Sequence, residues 1–104
     1  MNANPQIDPL AALYTRLHAA LGDSPVTLHV RRREDGSVKV NLTVLGTREH
    51  CTRALAEADT KLHDATHHGP NRLHMWHEGS DIRLLDAKDA SSGYVGVAHY
   101  EVRL

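Results

Sequence analysis

Residues 38–65, VKVNLTVLGTREHCTRALAEADTKLHDA, change their hydrophobic period in the middle, and that change decides the fold. Val38, Val40, Leu42 and Val44 alternate with Lys39, Asn41 and Thr43, the period of two expected of a strand with one buried face. Gly46 closes the strand and Thr47 is a cap residue. Beyond it Cys51, Ala54, Leu55, Ala58, Leu62 and Ala65 recur at helical spacing on one stripe. The stripe is rich in alanine, which lets such a helix lie close to a sheet.

Toward the N-terminus, Val26, Leu28 and Val30 alternate with Thr27, His29 and Arg31, and RRREDGS (31–37) carries an Asp-Gly turn signal. The two alternating runs are therefore expected to form an antiparallel hairpin. Each has one apolar and one polar face, which predicts a sheet covered by helices on one side only. Further upstream, Asp8 is a cap and Pro9 fits the first helical position. Ile7, Leu10, Leu13, Tyr14, Leu17 and Leu21 follow at helical spacing, and Gly22 ends the run. A helix over residues 8–21 is predicted.

Toward the C-terminus, Gly69 and Pro70 stop the second helix. A long strand is predicted from Arg72 to Leu85. Leu73 and Met75 have the opposite parity to Ile82 and Leu84, so a bulge is expected at Gly79-Ser80. DAKDASSG (86–93) reads as a polar loop. The closing strand, YVGVAHYEVRL, is apolar on both parities near its start, so it is either central or covered by another subunit. The expectation is an α+β two-layer sandwich in the order helix-strand-strand-helix-strand-strand. Its sheet is mainly antiparallel, with two helices on one face.

Composition sets the bounds. The 104 residues suffice for a single domain, 1–104, with an aliphatic core, since there are three tyrosines, one tryptophan and no phenylalanine. A net charge of −1 suggests neither a basic arm nor an acidic tail. With Cys51 as the only cysteine, disulfides within the chain and cysteine-based zinc motifs are excluded. The start, MNANPQIDPLAALYTR, lacks the pattern of a signal peptide, and no run reaches membrane-spanning length. The chain is expected to be soluble and made in a reducing cytoplasm.

KLHDATHHGPNRLHMWHE (61–78) holds five of the nine histidines. Asp59, His63 and His67 are four apart and share a helix face. They could bind zinc, with His74 or His77 completing the set. No HExxH motif is present. Helix-end chemistry accounts for the cluster as well. His67 and His68 fall in the last turn, where the negative end of the helix dipole favours donors. A structural role is therefore expected, with no cofactor. The alternative is a small histidine-rich metal-binding domain, at its furthest hydrolytic.

Other candidate chemistry is sparse. Arg31, Arg32 and Arg33 could meet phosphate, yet Glu34 and Asp35 follow at once and offset their field. A solvated or subunit-contacting tip fits better. Cys51 sits on the buried stripe and reads as core packing rather than a nucleophile. The serines fall in turns, and the glycines stand singly with no phosphate-cradling loop. Nothing indicates an enzyme.

The order strand, short turn, Ala-rich helix ending in LHDA, then NRLHMWHEGSDIRLLDAKDASSGYVGVAHYEVRL, resembles the tail-terminator and tail-completion proteins of long-tailed bacteriophages. An N-terminal helix like DPLAALYTRLHAAL belongs to that likeness, which covers nearly the whole chain. The resemblance implies a virion protein made in the host cytoplasm. It would cap the head-proximal end of the tail tube as a ring, usually a hexamer, and stop polymerisation. Its partners would be further copies of itself, the major tail tube protein and head-completion proteins, with lumenal DNA as a further contact and no membrane. No catalytic residue is implied. The expected contact residues are Arg31, Arg32, Arg33 and Glu34 at the tip, with Tyr94, Tyr100, Val102 and Leu104 on the closing strand.

Overall fold

The computed structural model describes residues 8–67 and 72–103. The elements run α1 (Pro9–Leu21), β1 (Thr27–Arg32), β2 (Val38–Gly46), α2 (Arg48–His67), β3 (His74–Asp86) and β4 (Asp89–Arg103). All neighbouring strands are antiparallel, in the order β1-β2-β4-β3. The result is the expected α+β arrangement, with both helices packed against one four-stranded sheet.

Local chemistry sets the boundaries. The Asp8 carboxylate accepts from the Leu10 amide at 3.0 Å, with Pro9 beside it, and this starts α1. The Thr47 hydroxyl accepts from the His50 amide at 3.0 Å and starts α2. In the β1–β2 turn, Asp35 Oδ1 accepts from the Ser37 amide and hydroxyl at 2.9 and 2.6 Å. These bonds hold its carboxyl below the usual carboxylate range. Gly36, at φ 88, supplies the left-handed residue that the turn needs.

The core lies between the helix-facing side chains of the sheet, even-numbered except for Met75 before the β3 bulge, and the two helices. Val38, Val40, Leu42 and Val44 from β2 and Ala98, Tyr100 and Val102 from β4 meet Leu13, Leu17 and Leu21 of α1 and Cys51, Ala54, Leu55, Ala58 and Leu62 of α2. The closest approach is over Gly96. A Cβ placed there would stand 3.1 Å from side-chain atoms of Cys51, Leu55 and Val44, so the bare backbone at that position lets α2 settle this closely on β4. Thr66 rather than Ala65 takes the last fully buried place on α2, its hydroxyl donating to the Leu62 carbonyl at 2.8 Å. Among the described residues, no helix is long and apolar enough to cross a membrane.

Two expectations need correction. The stretch 86–93 is not a loop: Asp86 pairs with Asp89 across a two-residue turn, and the strands run on either side. Its polar residues satisfy the turn themselves. Asp86 Oδ1 accepts from the Lys88 amide at 2.9 Å, and the Ser92 hydroxyl accepts from the Asp86 amide at 3.0 Å. Next, β4 is a central strand between β2 and β3, the first of the two expected arrangements, and its even-numbered side chains face the helices, while Val95 and Val97 on the helix-free face stay half-buried. Tyr100 and Val102 are consequently core residues, 3% and 0% exposed, and offer no surface to a partner. Leu104 lies outside the described residues, as do His68 and Ile7. The bulge falls where expected, with the register breaking between His77 and Gly79.

Candidate functional site

Helix α2 is seated over β4 and β2, held there by the bare backbone of Gly96. That seating leaves β3 short of cover on the same side. After the bulge, Ile82 and Leu84 are only half-buried. The consequence is a cleft of about 450 Å³ between α2 and β3. Arg48, Thr52, Ala56 and Asp59 form its helical wall, one residue per turn. His77, Ser80 and Ile82 form the strand wall, over a floor of Leu55 and Ala98.

One hydrogen bond spans this cleft. The Tyr100 hydroxyl donates to Asp59 Oδ1 at 2.7 Å. Burial, and then the Asp59 carboxylate, push the Tyr100 hydroxyl well above its ordinary range. The His77 ring leans on Tyr100 with centroids 5.0 Å apart. Tyr100 therefore keeps its proton and fixes the carboxylate in place, which suits a strut between helix and sheet. Sequence reasoning missed this contact, because its partners lie 41 residues apart and only the folded sheet brings them together.

A second cavity of about 250 Å³ lies at the same contact, among His63, Thr66, His67 and Met75. His63 and His67 stack ring on ring at 4.0 Å. His67 Nδ1 sits 3.0 Å from the Thr66 hydroxyl and 3.1 Å from the His63 carbonyl, so it serves the helix end. Among the described residues, no three His, Cys, Asp or Glu side chains gather in a way that could hold a metal ion. Asp59, His63 and His67 are thus not assembled as a ligand set. His77 faces the cleft, while His74 has the opposite parity to Met75 and lies on the other face of the sheet.

The arginine tip is divided. Arg31 and Arg32 are exposed, but Arg33 reaches Glu78 at 3.3 Å and Glu101 at 3.6 Å. Glu101 is only 8% exposed and needs that partner. Arg33 is therefore a brace from the β1–β2 turn to β4 and β3, not a free contact residue. On the same helix-free face, Arg103 lies over the Trp76 ring at 5.8 Å and His99 Nδ1 meets Asn41 Oδ1 at 2.6 Å. Of the remaining expected contacts, Glu34 is exposed and Tyr94 half-buried. Cys51 is fully buried, its thiol near the Val44 carbonyl, as core packing requires.

The two turns lie at opposite ends of the sheet. Val38 pairs with Val102 beside the β1–β2 turn, and Gly46 pairs with Tyr94 toward the β3–β4 turn. One end carries Arg31, Arg32 and Arg103, together with Glu34 and Asp35. The other carries Asp86 and Asp89, with Lys88 between them. Comparison of the chain with protein-family models, with curated proteins and with solved structures gave no match.

Proposed function

We propose that this chain is a virion structural protein of the tail-terminator kind. As such it caps the head-proximal end of a phage tail tube as a homo-oligomeric ring, six-fold by the resemblance. It stops tube growth and joins the tail to head-completion proteins. The reading rests on the likeness of element order, and one observation supports it best. The molecule is drawn out to 58 × 27 × 24 Å, with a different hairpin turn at each end of its sheet and helices on one face only. A subunit that must touch different neighbours on two sides needs two unlike ends. Arg31, Arg32 and Glu34 would serve one of them, where DNA in the lumen is a further contact. Tyr94 and the β3–β4 turn would serve the other.

The test is native mass spectrometry of the full chain before and after chelator treatment, with negative-stain electron microscopy of the same sample. Metal-free rings are expected, and reversing the charge of Arg31 and Arg32 should stop tail assembly. A chain that carries one zinc and never forms rings, even beside tail tubes, would overturn the proposal in favour of a metal-binding domain.

A further inference from the structure

β3 is one of the two edge strands of the sheet, β1 being the other. Its register against β4 breaks between His77 and Gly79 and again between Leu84 and Asp86, so residues 79–84 form a regular stretch bounded on both sides. The outer edge of such a stretch offers a row of backbone donors and acceptors to another strand. Among the described residues, no backbone hydrogen bond from outside the sheet reaches it.

The middle of this stretch reads Asp81-Ile82-Arg83, two opposite charges around one apolar residue. A second copy laid antiparallel along the same edge meets it about a two-fold axis. Directly opposed residues must then share a face, which leaves three centres near the middle. Centring on residue 81 sets Asp81 against itself, and centring on residue 83 sets Arg83 against itself. Both place like charges in contact. Centring on residue 82 sets Asp81 opposite Arg83 twice, with Ile82 on the axis. Only this register is self-complementary.

We propose that the protein forms a two-fold dimer by antiparallel pairing of β3 with β3 of a second copy, centred on Ile82. Half-buried Ile82 gains cover from its counterpart, and Ser80 comes opposite Leu84. Glu78 and Asp86 lie beyond the two register breaks, outside the regular ladder of residues 79–84. In the single chain, Asp81 and Arg83 pair with each other, so both charges have a partner before and after association. The dimer does not depend on the tail-terminator reading.

Sedimentation equilibrium of the full chain in chelator tests it, with circular-dichroism melts confirming that each variant folds. At concentrations below those at which rings form, the wild type is expected at twice the chain mass of 11.5 kDa. Arg83→Asp and Asp81→Arg should each raise the dissociation constant roughly tenfold or more, by placing like charges opposite each other. The double exchange Asp81→Arg, Arg83→Asp should restore the dimer. A wild type at single-chain mass throughout, single reversals without effect, or a double exchange that fails to restore pairing would each overturn the proposal. A ring indifferent to all three variants would remove the dimer and keep the terminator reading. A sensitive dimer that never forms rings would do the reverse.

Discussion

One sheet is treated in two ways along its width. β2 and the inner half of β4 lie under α2, with Val40, Leu42 and Val102 fully enclosed. β3 beyond its bulge has the same alternation of side chains, yet Ile82 and Leu84 stay half-exposed and Leu85 more so. The difference comes from where α2 can sit. Gly96 and Ala98 let the helix sink onto β4, and a helix held there cannot also cover the outer strand. Stability is thereby concentrated in the covered half, and surface available to partners in the other.

Breaking the covered half should cost most. Leu62→Ala removes a side chain that is 1% exposed, and should destabilise the protein by about 2–5 kcal/mol in urea unfolding. Gly96→Val tests the seating of α2. Atoms added where a Cβ already stands 3.1 Å from three neighbours should cost about 1–3 kcal/mol through forced displacement. If Gly96→Val melted like the wild type, the account of the helix position would be wrong.

Tyr100→Phe sharpens the comparison at the boundary of the two halves. It removes the bond to Asp59 but leaves that exposed carboxylate free to meet water, so the loss at neutral pH should be about 1 kcal/mol. The pH dependence has a definite sign. The folded hydroxyl holds its proton more tightly than the unfolded one, whose reference value is 10.0. The unfolded chain therefore releases a proton first as pH rises above about 10, and stability falls from there upward. Thermal melts across that range should show a shallower decline for Tyr100→Phe than for the wild type. Smallest of all, Leu85→Ser in the uncovered half should shift stability by under ~0.5 kcal/mol in the single chain, as exposed substitutions do.

The parts of this fold legible in the sequence are those set by local chemistry. The periods of residues 38–65, the caps Asp8 and Thr47 and the parity change across Gly79 each lie within a few residues of their effect, and each element followed. What stayed hidden depends on neighbours distant in the chain. The double-sided apolarity of β4 left a central place and a subunit contact both open, and the sheet order decides for the central place. Tyr100 and Val102, expected as contacts, lie in the core for that reason. Arg33 looked free because Glu78 and Glu101 come to it only across the sheet. The serines and aspartates of 86–93 signal a turn correctly but not its length, since a hairpin outside the core can carry polar residues in its strands. The cleft between α2 and β3 left no signal beyond small side chains at Ala56, Ser80 and Ala98.

Amide hydrogen exchange followed by NMR tests the central contrast most directly, using dilute Arg83→Asp protein so that association through β3 does not intrude. The account predicts that amides of β2 and of β4 from residue 96 to 102 exchange only through global unfolding. Amides of residues 79–94 should open by a separate, far less costly route. Equal protection across both regions would contradict it, because the uncovered strand would then be as firmly held as the covered ones.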